Sequence, residues 1–200
     1  MTHNPNDVGL EKARLRRGLL ARRARLPPEE VARASRAVQA RLRGLEAWRA
    51  ARSVLVYLAY KGEISTLELL EELWGRGVTV LAPRCRPDQA GLLDLACLMS
   101  LEQLTPGAWG ILEPHPEACP ALTGCAPDLA LIPAVAFDRS GGRLGFGQGY
   151  YDRLLAGPGF ADTTLIGLAH GFQVVETLPR DPWDRPVHVV LTPEETLLCG

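Results

Sequence analysis

Apolar and polar positions change period several times along the 200-residue chain. Over residues 8–26, Leu10, Leu15, Leu19 and Leu26 stand among charged residues as the apolar side of a predicted helix. Pro27 and Pro28 break it. Pro28, Glu29 and Glu30 suit the first turn of a second helix running to about Trp48. The run SVLVYLAY at 53–60 is apolar and partly β-branched, which predicts a buried strand. Ser65-Thr66-Leu67-Glu68 has the pattern of a capping box and opens a helix through Trp74, with Gly75 and Gly77 ending it. Strands follow at 78–83 and 92–98. Residues 99–127, rich in Pro and Gly, read as loop with little regular structure. DLALIPAVAF at 128–137 is the strongest later strand despite Pro133. A glycine-dense loop over 138–149 leads to a short helix near Tyr150, and 164–170 and 187–192 read as the last two strands.

Strands alternating with helices predict an α/β fold. One domain over 1–200 would hold a central, largely parallel but mixed sheet flanked by helices, an open three-layer α/β/α arrangement. Ligands of such sheets sit beyond the carboxyl ends of strands. The glycine loop after Phe137 lies at such an end and is the first place to look for chemistry.

Composition adds two constraints. Hydrophobic residues make up 46% of the chain, enough for one substantial core. The net charge of -1 hides an asymmetry: residues 1–52 carry Lys12 and twelve arginines against five acids. That basic half reads either as solvated helices or as a nucleic-acid surface. Five cysteines without C-x-x-C spacing fit neither a zinc site nor a disulfide framework and are expected to be reduced. The N-terminal residues lack the apolar core of a secretory signal, and no apolar run approaches the roughly 20 residues of a membrane span. The expectation is a cytoplasmic protein with no membrane partner.

The loop itself carries Gly141, Gly142, Gly145, Gly147 and Gly149, five glycines in nine residues, around Arg143. Glycine lets backbone N–H groups approach an anion closely, and a guanidinium suits phosphate oxygens. The helix beginning near Tyr150 would add its positive end. The spacing is neither that of a P-loop nor G-x-G-x-x-G. Lys12 and Arg16, four apart, fall on one helix face.

From Arg143 to Asp152 the sequence Arg-Leu-Gly-Phe-Gly-Gln-Gly-Tyr-Tyr-Asp resembles the signature of the 5-formyltetrahydrofolate cyclo-ligase, or methenyltetrahydrofolate synthetase, family. Lys12-Ala13-Arg14-Leu15-Arg16 is similar to its N-terminal Lys-x-x-Leu-Arg element, and Gly110-Ile111-Leu112-Glu113-Pro114 to its mid-chain Gly-Ile-x-Glu-Pro. Glu63, Gln173 and Asp184 stand where the family has an acidic substrate contact, a glutamine and a late acidic metal ligand. Phe146, Gln148 and His188 depart from the family's usual residues.

The resemblance implies ATP- and Mg²⁺-dependent cyclisation of 5-formyltetrahydrofolate to 5,10-methenyltetrahydrofolate by a monomer, with no nucleic-acid partner. Lys12, Arg16 and Arg143 would act on the ATP phosphates, with Leu144, Gly145, Phe146, Gly147, Gln148, Gly149, Tyr150 and Tyr151 completing the nucleotide site. Leu58, Glu63, Trp109, Phe146, Gly147, Gln148, Gly149, Tyr150 and Gln173 would contact the folate. Asp152 and Asp184 would hold the metal. Two other readings remain at this point: a nucleic-acid module on the basic half, and an α/β enzyme of related fold such as a sugar-phosphate isomerase or a CoA transferase.

Overall fold

A computed structural model of the chain describes residues 5–179 and 184–199. Helix α1 (Pro5–Arg23) begins three residues earlier than the sequence pattern suggests and ends before Leu26. Its buried stripe is also different. At 3.6 residues per turn, Lys12, Leu15, Arg16, Leu19 and Arg23 share an arc of roughly 100°, with Leu10 on the opposite side. Leu15 and Leu19 pack on Ala136, Leu144 and Leu178, whereas Leu10 is 70% exposed.

The predicted second helix is two helices. Chain direction changes at Leu45, which is extended (φ -78°, ψ 135°), separating α2 (Pro28–Gly44) from α3 (Glu46–Ala50). The break carries Trp48 into the core, where its indole N–H donates to Glu72 Oε1 at 3.0 Å. Strand β1 (Ser53–Leu55) is shorter than its apolar run; residues 56–60 leave the ladder toward a tight turn. Helix α4 (Leu67–Gly75) follows. Ser65 Oγ donates to Glu68 Oε2 at 2.8 Å, and the Thr66 hydroxyl donates to the Tyr57 carbonyl.

Strands β2 (Thr79–Cys85) and β3 (Leu93–Cys97) form an antiparallel pair. The region read as loop contains a hairpin, β4 (Leu104–Pro106) with β5 (Leu112–Pro114), and an edge strand β6 (Ala121–Leu122). The strong apolar run at 128–137 is divided by Pro133 into β7 (Leu129–Ile132) and β8 (Ala136–Asp138). Proline has no N–H to offer the ladder, so the chain leaves the main sheet there. β8 then pairs with β9 (Arg143–Leu144) and, after α5 (Tyr150–Leu155) and β10 (Thr164–Leu168), with β11 (Val174–Val175). Strands β12 (Val189–Leu191) and β13 (Thr196–Leu198) finish the fold; β11 and β13 have too few apolar residues to stand out in sequence.

The main sheet runs β13-β12-β10-β7-β1-β2-β3-β6. The five strands from β12 to β2 are parallel, and the edges are antiparallel. Alternating side chains divide into two cores. Val54, Val80, Leu129, Leu131 and Ile166 face α2, α3 and α4. Leu55, Leu81, Ala130, Ile132 and Leu165 face Phe137, Leu155 and Phe160 on the side of α5. This is the expected mixed sheet flanked by helices on both faces. Among the described residues no helix is long and apolar enough to cross a membrane.

Candidate active site

A cavity of about 510 Å³ opens beyond the carboxyl ends of β1, β2 and β7, within the size range of small-molecule sites. Helix α1, the residues after β1, the β4–β5 hairpin, the glycine loop, α5 and Asp184 all contribute to its wall. Every site residue expected from the sequence lines it except Gln173.

One wall is cationic. Arg16 Nε donates to the Gly145 carbonyl at 2.8 Å, tying α1 to the loop. Burial lowers the pKa of the Arg16 guanidinium, and Asp152 opposes that shift. Lys12 Nζ lies 3.5 Å from Asp184 Oδ2. Arg143, on β9, is ion-paired and hydrogen-bonded to Asp152, its guanidinium 5.8 Å from the centre of the Tyr151 ring. Among the described residues, Arg143 Nε alone is a buried side-chain nitrogen or oxygen without a hydrogen-bond partner. Gly147 and Gly149 take left-handed conformations (φ 101° and 68°) that other residues resist, so the loop's turns need glycine there. Arg153 holds the loop from behind, bonding the carbonyls of Gly91 and Gln148. Helix α5 has only six residues, so the loop and the cations, more than a helix dipole, set the charge of this wall.

The rest of the lining carries carboxylates and rings. Glu63 is buried and accepts the Tyr60 amide at 3.0 Å on Oε2. Burial raises its pKa, while Arg23, 3.4 Å from Oε1, pulls it down. Trp109 stands at the mouth, 60% exposed, in a left-handed conformation (φ 57°). Its ring meets Tyr150 edge-on at 5.7 Å, and its carbonyl accepts the Tyr60 hydroxyl. Phe146 is half exposed, with the Arg23 guanidinium 5.4 Å over its ring. Leu58 and Tyr57 form the floor beside Tyr151, whose phenol is pushed up by burial.

Gln173 needs correction. Its amide nitrogen donates to the Ala134 and Val135 carbonyls at 3.1 and 3.0 Å, and its oxygen accepts the His170 amide. It is a buried brace for the segment after Pro133, outside the cavity. His188 is likewise structural, its Nδ1 accepting the Leu165 amide at 2.9 Å.

Sequence reasoning misses Arg23, which sits behind Glu63, and several residues of the wall itself. Arg23 lies on the stripe of Lys12 and Arg16, three helical turns beyond Lys12, and that periodicity is the signal that could have found it. Cys85 and Glu113 also line the cavity. Burial and neighbouring Glu113 push the Cys85 thiol up to about 12, so it is no nucleophile near neutrality. The surplus of arginine in the first helices also finds partners: Arg41 bonds the Pro193 and Glu194 carbonyls, and Arg43 bonds Glu72.

Two carboxylates, Asp152 and Asp184, could hold a hard cation. Among the described residues no group of three metal-binding side chains forms. This donor set suits Mg²⁺ bound largely by phosphate and water, and does not suit a closed protein cage.

Known proteins match this chain in sequence and in fold. The model of the 5-formyltetrahydrofolate cyclo-ligase family matches residues 8–193. The 5-formyltetrahydrofolate cyclo-ligase of Escherichia coli K12 is 37% identical over 145 residues, 72% of this chain and 80% of the relative. The solution structure of Aquifex aeolicus 5,10-methenyltetrahydrofolate synthetase superposes with a TM-score of 0.76 at 34% identity, covering 94% of this chain and 92% of that one. The Mycoplasma pneumoniae 5,10-methenyltetrahydrofolate synthetase, at 23% identity and a TM-score of 0.72, shares the fold. These matches favour neither a nucleic-acid module nor an isomerase or CoA transferase. By sequence over nearly its whole length, this chain belongs to the 5-formyltetrahydrofolate cyclo-ligase family.

Proposed function

We propose that this protein is a ligase that closes 5-formyltetrahydrofolate to 5,10-methenyltetrahydrofolate while ATP becomes ADP and phosphate. The observation that supports this most is the meeting of Lys12, Arg16 and Arg143 with the Gly145–Gly149 loop on the cavity that Glu63 and Trp109 also line. Arg143 Nε, without a hydrogen-bond partner among the described residues, is a donor suited to a phosphate oxygen.

A formamide is a poor electrophile. In this reading the formyl oxygen attacks the γ-phosphorus of ATP, expelling ADP; N10 then attacks the activated carbon and gives up its proton as phosphate leaves. Lys12, Arg16 and Arg143 neutralise phosphate charge and align the reactants, which is most of what a protein supplies in phosphoryl transfer. Asp152 and Asp184 would hold Mg²⁺, which supplies further charge neutralisation when bound. Glu63 accepts from the amino and ring N–H groups of the pterin. Trp109, Tyr150 and Phe146 give it flat walls, and Leu58 gives it an apolar floor. No side-chain nucleophile is needed, in keeping with the raised pKa of Cys85.

The reading also makes the protein a cytoplasmic monomer without nucleic-acid or membrane partners. In its favour, one chain supplies every wall of the cavity, and Cys85, Cys97, Cys119 and Cys125 are reduced thiols. The test is ATP-dependent appearance of the methenyl chromophore from 5-formyltetrahydrofolate. Arg143→Ala is expected to cut turnover by about 10²–10³-fold, the usual loss for one charge-stabilising donor, with an unchanged circular dichroism spectrum. Normal turnover in that variant, at both low and saturating ATP, would overturn the assignment.

A further inference from the structure

The turn that carries Glu63 is held from both sides. Lys61 and Gly62 both adopt left-handed conformations (φ 45° and 77°), and the Glu63 amide donates to the Tyr60 carbonyl at 3.2 Å. A β-turn with two left-handed central residues disfavours a side chain such as Lys61, so the fold must compensate. Compensation comes from the last residue of α1. Arg23 donates from Nε to the Lys61 carbonyl at 3.1 Å and from Nη1 to the Ala134 carbonyl at 3.4 Å. The same Nη1 lies 3.4 Å from Glu63 Oε1, and the two side chains are 2% and 8% exposed. The fit is close: a Cβ on Gly62 would stand 3.2 Å from the Arg23 carbonyl oxygen.

We propose that Arg23 is a positioning residue for folate recognition, fixing the orientation of Glu63 and supplying its counter-charge. The proposal rests on Glu63 contacting the pterin, as above. Arg23 touches the ligand-facing carboxylate from behind and does not itself need to touch the ligand.

The groups facing Glu63 support this division. Tyr57 and Tyr60, from the segment after β1, direct their hydroxyls to the Ile64 and Trp109 carbonyls. Tyr151, from α5, is a phenol kept uncharged by burial and by the nearby Glu63 carboxylate. His170, after β10, places Nε2 2.8 Å from the Gly62 carbonyl and bonds the turn. Lys61 turns its ammonium over the Tyr60 ring. Among the described residues Arg23 is the cation paired with Glu63. Burial favours the protonated form of Glu63 and Arg23 opposes it. Without Arg23 the carboxyl would hold its proton to higher pH and present an O–H to the donor edge of a pterin, a repulsive arrangement. Binding would then require loss of that proton.

Calorimetry of 5-formyltetrahydrofolate binding to the whole protein, in buffers of different ionisation enthalpy from pH 6.5 to 9, tests the idea. Wild type is expected to bind with little proton exchange. Arg23→Met is expected to weaken binding at pH 7 by about tenfold for each unit by which the Glu63 titration comes to lie above pH 7. It should release close to one proton and recover affinity as pH increases. The KM for ATP should change less than twofold. Arg23→Lys, which keeps the charge with fewer fixed bonds, should fall between, and it carries the same comparison should Arg23→Met fail to fold. Parallel pH profiles and equal proton release in wild type and variants would overturn the proposal. Wild-type protein without ATP-dependent turnover would instead refute the function on which it rests.

Discussion

Arg16 and Gly145 are joined by a 2.8 Å hydrogen bond from guanidinium to carbonyl, across 129 positions of sequence. The bond fixes where Gly145 sits relative to the cationic stripe of α1. Removing it loosens the loop and deletes a charge at once. Arg16→Ala is expected to raise the KM for ATP at least tenfold, equivalent to about 1.4 kcal/mol, with a smaller effect on the KM for 5-formyltetrahydrofolate. Arg16→Lys, which keeps the charge, should recover part of the loss. Steady-state kinetics with each substrate varied in turn reads both.

Asp152 and Asp184 reach the cavity from α5 and from the segment before β12. If they share a cation, Asp152→Asn and Asp184→Asn should each raise the Mg²⁺ concentration for half-maximal turnover by about tenfold or more. Titrating Mg²⁺ at fixed ATP measures this. An unchanged Mg²⁺ requirement in both variants would remove them from the metal site.

His170 sets a pH dependence of stability. Its ring accepts the Gln173 amide and its Nε2 meets the Gly62 carbonyl, which only accepts, so the proton sits on Nε2 of a neutral ring. Burial, with Arg23 adding repulsion, lowers its pKa despite the Gly62 bond. The unfolded chain therefore binds the proton more readily. The contribution is complete above about pH 6.5, the ordinary histidine value, and is lost as pH falls through the folded pKa. His188 is lowered too, by burial and by Arg185. Denaturant melts should show stability falling below about pH 6.5. His170→Gln should flatten part of that slope and a double variant with His188→Gln most of it.

Gly167 leaves room for a ring. A Cβ there would lie 2.5 Å from Phe137 Cε1 and Cζ, and Phe137 is fully buried. Gly167→Ala should cost about 1–3 kcal/mol from overpacking, seen as a drop of several degrees in melting temperature. Kinetic constants should stay within twofold, because the contact lies in the core behind the site.

The order of helices and parallel strands was legible because long apolar runs and prolines mark it. Pro133 shows where the physics goes further than the pattern: the run around it is uniformly apolar, yet one missing N–H sends the chain into a second sheet. The β4–β5 hairpin was illegible, since strands of three residues with Pro106 and Pro114 show no alternation. Lys12, Arg16 and Arg143 stand out through spacing and motif. Arg23 does not, because it is one of twelve arginines in the basic half and Leu10 misdirects the apolar face. Gln173 fails for the opposite reason. Its position suggests a ligand contact, but backbone carbonyls left without strand partners after Pro133 take both its amide protons.

Placing α1 against the far end of the chain has a consequence during synthesis. Lys12 leaves the ribosome 172 residues ahead of Asp184, its ionic counterpart. A nascent chain stopped just short of Asp184 would possess the helices and most strands but would lack one carboxylate of the pocket wall. Contacts so distant in sequence form slowly, so the pocket is completed only when the last part of the chain meets the first helix.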